Sequence, residues 1–382
     1  QQAYEVKESV LAYLEATFRF KEENVHKAFY NLVKDPENGL FKGPYISLKT
    51  PFVAATENEA AAIPLTIRPE GFKPHKHQLL SFNRLSTQDG HQPLPTLLTT
   101  GTGSGKTECF LYPILDYCYQ CNKNGVRNGI KVIIMYPMNA LATDQAKRLA
   151  ETIYNDERLR GVVTAGLFIG DDKTKKLPTT MGEHNIIENR DAIVDNAPDI
   201  VLTNFKMLDY ALMQQQYRNL WVGNYGEKNP MLRFLVLDEL HTYDGAQGTD
   251  VANLIRRLKL KLHLSAHHLC PIGTSATIGG GEESKQKLVD YASDVFGEQF
   301  DIDSVIGEQR VAIGDFVSAD AETFIPSEAD LKACTVKLLP MPDYIRQARR
   351  IWLPGYSDDP VSIGEGLKSL AIMRDLLSVT QE

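Results

Sequence analysis

TLLTTGTGSGKT, residues 96–107, decides the fold. Its first half is apolar and β-branched, as expected of a strand buried on both faces. Its second half packs three glycines ahead of Lys106-Thr107 and opens a helical pattern over roughly 105–121. Glycines let backbone N–H groups converge on phosphate oxygens, and a helix N-terminus adds a favourable dipole. In that reading Thr102, Gly103, Ser104, Gly105, Lys106 and Thr107 cradle a nucleotide. Lys106 reaches the β- and γ-phosphates, and the Thr107 hydroxyl ligates Mg²⁺. The strict phosphate-loop pattern wants glycine at position 100, where this chain has threonine.

Working outward, further strand candidates are KVIIMY (131–136), VVTAGLFI (162–169), DIVLT (199–203), RFLVLD (233–238) and CPIGT (270–274). Helical patterns separate them at roughly 139–155, 206–215, 248–263 and 283–296. Alternating strand and helix predicts an α/β fold with a mostly parallel sheet and helices on both faces. Residues 1–63 read as a helical N-terminal extension, 64–298 as an ATP-binding domain, and 299–382 as an irregular, partly helical C-terminal region. Residues 171–198 break the rhythm and read as an inserted polar loop with a short helix.

Composition sets outer limits. The 382 residues are 43% hydrophobic and 24% charged, ordinary for a globular chain. No apolar run approaches the roughly 20 residues that span a bilayer. The start has neither basic flank nor apolar core, so it reads as a cytoplasmic protein, and without an initiator Met it reads as a piece of a longer one. Five cysteines suit a reducing compartment better than a disulfide framework. Cys118 and Cys121 form a CxxC inside a helical pattern with no second pair, so they read as helix residues rather than a zinc site. The net charge of −8 speaks weakly against nucleic acid, although a motor grips the backbone through a few local groups.

The second decisive stretch is FLVLDELH, residues 234–241. An apolar strand ending in two carboxylates is costly unless a metal or a reaction uses the charge. Asp238 fits the acid that holds Mg²⁺, and Glu239 the group that orients or deprotonates an attacking water. His241, one turn on, is placed to sense the γ-phosphate.

With both stretches in place the chain resembles the first RecA-like, P-loop NTPase domain of a superfamily 2 DExH helicase, where Thr100 is a common departure. Further motifs match in order. Gln78 in FKPHKHQ resembles the adenine-reading glutamine. YPMNAL (136–141), with Pro137 and Asn139, resembles the loop that touches the nucleic-acid backbone. Gly170-Asp171 resembles the GD turn, and Thr203-Asn204 the motif whose threonine contacts phosphate. Ser275-Ala276-Thr277 resembles the motif that couples ATP to strand grip through Ser275 and Thr277. DELHTYDGAQGTDVANLIRRL (238–258) and TSATIG (274–279) are similar to Lhr-like and DUF1998-associated DNA helicases, including bacterial phage-defence helicases.

The resemblance implies an ATP- and Mg²⁺-dependent DNA motor. Its partners would be single-stranded or partly duplex DNA, defence-system proteins, and a second RecA-like lobe carrying the arginine finger. That lobe is not in these residues: QARR (347–350) lacks the glycines of an arginine-finger motif. An RNA helicase, or a nucleotide-gated nucleic-acid-binding module that does not unwind, are the alternatives. Away from these motifs plainer readings prevail. Lys173, Lys175 and Lys176 suit a solvated loop, and one of Arg256 and Arg257 pairs with an acid of the same domain. His263, His267 and His268 suit a polar helix end. Trp221 and Tyr225 belong to a surface insertion rather than a base-stacking platform.

Overall fold

The computed structural model describes residues 2–35, 37–41, 48–101, 103–170, 177–225, 231–276, 281–318, 321, 323–334, 340–357 and 359–380. They form two compact units, one of residues 52–309 and one joining 1–51 to 310–382.

The 52–309 unit is built on seven strands: β1 (Thr96–Thr99), β2 (Val132–Met135), β3 (Ala165–Phe168), β4 (Ile200–Thr203), β5 (Phe234–Leu237), β6 (Cys270–Thr274) and β7 (Val305–Gly307). Their order is β3-β4-β2-β5-β6-β1-β7, and every pairing is parallel. Six were expected from the apolar runs. The seventh, VIG, is too short and too exposed to stand out by pattern, and lies where the sequence suggested only irregular structure.

Successive side chains of a strand point to opposite faces, and the core divides accordingly. Leu97, Ile133, Met135, Val201, Leu235 and Leu237 enter one buried cluster. Leu98, Val132, Ile134, Leu202, Val236 and Ile272 enter the other. Helices α1 (Lys76–Leu85), α2 (Lys106–Lys123) and α3 (Asn139–Asn155) supply the second cluster. Helices α4 (Phe205–Met213), α5 (Gly245–Lys261) and α6 (Glu282–Phe296) supply the first. The short helix expected in the polar insertion is Arg190–Asp195.

Pro113 lies inside α2. Proline has no N–H to give the carbonyl four residues earlier, which belongs to Cys109. Ser81 of α1 fills the gap, donating its hydroxyl to the Cys109 carbonyl at 2.9 Å from a fully buried position. Ser81→Ala should therefore cost about 1–3 kcal/mol by orphaning a buried acceptor. A denaturation midpoint unchanged from wild type would refute that account.

At the edge where the strands begin, Lys131 is fully buried and its Nζ lies 2.5 Å from Asp199 Oδ1. Asp199 Oδ2 accepts from the Thr164 amide at 2.7 Å and from Asn122 Nδ2 at 3.0 Å. One carboxylate thus ties the start of β4 to the chain before β2, to the approach to β3 and to α2.

Trp221 departs from the surface reading. It is fully buried, with Nε1 donating to the Ala211 carbonyl at 2.8 Å. The insertion contributes to the core, while Tyr225, like Val222, is exposed. Arg257 pairs with Asp209 at 2.7 Å, as expected.

The second unit joins distant segments. Helices Gln2–Thr17 and Glu23–Lys34 meet where Tyr30 donates to the Leu11 carbonyl at 3.1 Å. Thr380 accepts from the Leu48 amide at 3.3 Å and donates to its carbonyl at 3.0 Å. Among the described residues no helix is long and apolar enough to cross a membrane.

Candidate nucleotide-binding site

The strands deliver their loops to one edge of the sheet, where α/β folds bind ligands. After β1 the backbone takes positive φ at Gly103 (78°) and at Gly105 (75°), which caps α2. A Cβ at Gly105 would also sit 2.3 Å from Gln78 Nε2, so a side chain there would both strain the backbone and displace the glutamine amide. Ser104 is buried, its hydroxyl donating to Thr100 Oγ1 at 2.7 Å. Thr100 thereby gives the loop a hydrogen-bond partner that the usual glycine could not. Thr102 lies outside the described residues.

Lys106 reaches across to β6, donating from Nζ to the Ser275 carbonyl at 2.8 Å. Ser275 in turn donates its amide to the Leu98 carbonyl at 2.9 Å. Thr107 is half-buried and faces Tyr136, Gln145 and Arg148.

Asp238 and Glu239 follow β5. Glu239 has φ 51°, a left-handed conformation that costs a non-glycine residue roughly 1–2 kcal/mol. Thr274 holds the turn: its hydroxyl accepts the Glu239 amide at 3.1 Å and donates to Asp238 Oδ1. His241 Nδ1 lies 3.2 Å from Ser275 Oγ and 3.5 Å from Glu239 Oε2. Lys106, Asp238, Glu239, His241 and Ser275 therefore meet across β1, β5 and β6. Thr277 lies outside the described residues.

Burial raises the Asp238 pKa above the ordinary 3.8. Glu239 adds to the rise, while Thr274 and Lys106 oppose it. Below 3.8 the group is protonated folded or unfolded. As pH rises, the unfolded carboxyl ionises first, so this residue subtracts stability from 3.8 up to its raised value and throughout the range above. Asp238→Asn should accordingly raise the metal-free melting temperature at neutral pH, with the gain shrinking towards pH 3.8. An Asn variant that melts below wild type at neutral pH would contradict this.

The glutamine segment packs beneath the loop. Gln78 is 4% exposed; its Nε2 donates to the Gly105 carbonyl at 3.2 Å and its Oε1 accepts from the His75 amide at 2.9 Å. His77 Nε2 is 2.8 Å from the Ser104 carbonyl. Phe72 stacks edge-on against Tyr112 at 5.4 Å.

The candidate nucleic-acid residues stand along the same edge, at β2, β3 and β4. Asn139 opens α3 and is exposed, and Asn204 caps α4; Asn204 Nδ2 donates to Asn139 Oδ1 at 2.7 Å. Pro137 is half-buried and Gly170 exposed. Thr203 is fully buried, with its hydroxyl committed to the Phe168 carbonyl at 2.6 Å, so in this arrangement Asn204 presents the polar group. Asp171 and the three lysines at 173, 175 and 176 lie outside the described residues.

Two residues join the site unannounced. Thr274 was visible only as the letter before SAT. Glu308 follows the short β7, and its Oε2 accepts the Gly101 amide at 2.9 Å.

Similarity to known proteins agrees with this geometry. Druantia protein DruE of Escherichia coli (strain UMEA 4076-1) is 25% identical over 393 aligned residues, covering 76% of this chain and 21% of that protein. The uncharacterized ATP-dependent helicase YprA of Bacillus subtilis (strain 168) is 32% identical over 189 residues, covering 50% of this chain and 21% of its own length. The ATP-dependent RNA helicase DBP7 of Meyerozyma guilliermondii is 28% identical over 149 residues, 36% of this chain and 19% of that protein. The chain thus spans about a fifth of each of these relatives. The DEAD/DEAH box helicase family matches residues 76–284, which run from the glutamine segment through β6 to the start of α6, and the chain belongs to that family.

Proposed function

We propose that the chain is the ATP-binding lobe of a larger DNA helicase or translocase. The observation that carries this reading is the grouping at one sheet edge. Lys106, Asp238, Glu239, His241 and Ser275 meet at β1, β5 and β6, and the bonded pair Asn139–Asn204 stands beside them at β2 and β4.

The residues fit ATP and Mg²⁺. Glycines at positive φ open a phosphate cradle, and a Cβ at Gly103 would meet nothing within 4 Å. The Thr107 hydroxyl and the Asp238 carboxylate are the hard oxygen donors that suit Mg²⁺. When bound, the metal neutralises charge on the transferring phosphoryl group. An ammonium has three donors; Lys106 uses one on the Ser275 carbonyl and keeps two for phosphate oxygens. Glu239, turned outward by its left-handed backbone, orients a water and accepts its proton. His241 stands between Glu239 and Ser275 and links the reacting edge to the loop after β6. The arginines that complete such a site come from a second lobe beyond these residues, so the 382-residue chain alone turns ATP over slowly.

DNA, and a defence role, are favoured by the resemblance of residues 238–258 to the Lhr-like and DUF1998-associated helicases, which include bacterial phage-defence helicases. The likeness to an RNA helicase supports the second reading. ATP turnover by the full-length protein, measured alone, with single-stranded DNA and with RNA of the same sequence, decides between them. Stimulation by DNA supports the proposal, stimulation by RNA alone favours the alternative, and an unchanged rate with either refutes both.

A further inference from the structure

At the edge where the strands begin, a cleft of about 670 Å³ opens between the loop before β1 and the loop before β6. Its volume is that of a small-ligand site, and two guanidinium groups line it.

Arg233, the residue before β5, is 8% exposed. Its Nη atoms donate to the His268 carbonyl and to Gln92 Oε1. Among the described residues no carboxylate lies within ion-pair distance of it, and burial lowers its pKa from the ordinary guanidinium value. A buried cation without a counter-ion costs several kcal/mol.

Arg84 of α1 is the second group. Its Nη2 donates to the Pro95 carbonyl at 2.9 Å and to Ser304 Oγ at 3.3 Å, while its Nε is buried without an acceptor. Its nearest carboxylate, Asp301, is 4.0 Å away, largely exposed, and holds the Ser304 hydroxyl at 2.7 Å. The other acid in the cleft, Glu298, is taken by Lys259 at 2.6 Å and His267 at 3.1 Å. Glu298 is thus balanced by Lys259 and Asp301 pairs with Arg84, which leaves Arg233 as the uncompensated positive charge among the described residues of the cleft.

We propose that this cleft is a second anion site, binding a small phosphate-type ligand through the Arg84 and Arg233 forks, which match tetrahedral oxyanions in bidentate fashion. It is separate from the phosphate loop, which lies at the opposite ends of the same strands. Pro95, Arg233, Cys270 and Ser304 line it at the roots of β1, β5, β6 and β7. Those are the strands whose far ends carry Gly101, Asp238, Ser275 and Glu308. A plain structural brace between Gln92 and His268 would explain the Arg233 hydrogen bonds, but not a second guanidinium, that of Arg84, lining the same cleft with a buried Nε that has no acceptor.

Isothermal titration of the 382-residue chain with pyrophosphate, carried to millimolar concentration without divalent metal, tests this. Wild type should bind two equivalents and Lys106→Ala one. Arg84→Met should also bind one, and the double variant none. Arg84 is partly exposed and α1 is held by other contacts; Arg233→Met, run in parallel, should reproduce the loss. Two equivalents retained by Arg84→Met, or none in Lys106→Ala, would overturn the proposal. Two equivalents retained by Lys106→Ala would instead count against the phosphate-loop reading, so the two failures are distinguishable.

Discussion

Lys106→Ala is expected to lower ATP turnover by the full-length protein about 10²–10³-fold, the usual loss when one preorganised charge is removed from a transition state. The side chain is already poised. Its Nζ lies 2.8 Å from the Ser275 carbonyl, which fixes it over the loop closed by Gly103 and Gly105. The substitution deletes the charge and also frees that carbonyl at the end of β6. Lys106→Arg keeps charge but puts a broad planar group where a point charge fits, so it should recover little. Steady-state kcat with saturating nucleic acid is the measurement. A Lys106→Ala rate within threefold of wild type would remove Lys106 from the proposed chemistry.

Lys131→Ala should produce the largest loss of stability in the molecule. Lys131 is fully buried and its partner Asp199 nearly so. Truncating one member of such a pair leaves a charge without compensation and typically costs about 3–5 kcal/mol. The damage spreads because the same carboxylate holds Thr164 and Asn122. Lys131→Met combined with Asp199→Asn removes both charges while keeping an amide oxygen for the Thr164 amide, and should recover part of the loss. Chemical denaturation of the three proteins decides it. A single variant as stable as the wild type would show that the network contributes little.

What the sequence disclosed follows from how each feature is encoded. Strands β1 to β6 are unbroken apolar runs because both faces of the sheet are covered, and such runs can be read without a partner. The phosphate loop and the carboxylates after β5 were legible because their chemistry requires particular residues in a fixed context. The strand β7 was not: three residues of mixed exposure carry no period, and their place beside β1 depends on long-range pairing. Glu308 was hidden with it. Thr274 stood in plain view, but only the folded turn reveals that its hydroxyl serves Asp238 and Glu239 together. Trp221 misled because the stretch around it, YRNLWVGNY (217–225), has neither a strand nor a helix period, whereas its indole fills the core and satisfies its N–H on the Ala211 carbonyl. Thr203 shows a related limit. The motif marks its position, yet its hydroxyl is spent on Phe168, and only the fold reveals that Asn204 carries the presented group.

The unit that joins residues 1–51 to 310–382 bears on how the chain is made. Leu48 and Thr380, which bond to one another, are 332 positions apart. At ribosomal speeds of about 5–20 residues per second, the second partner emerges roughly 15–70 seconds after the first. Through that interval the opening helices wait for the segment that completes them, with Tyr4, Val6 and Tyr13 still exposed even in the finished structure. The 52–309 segment can meanwhile close around its own sheet. Synthesis order therefore leaves residues 1–51 waiting for 310–382 after the 52–309 segment can already have closed.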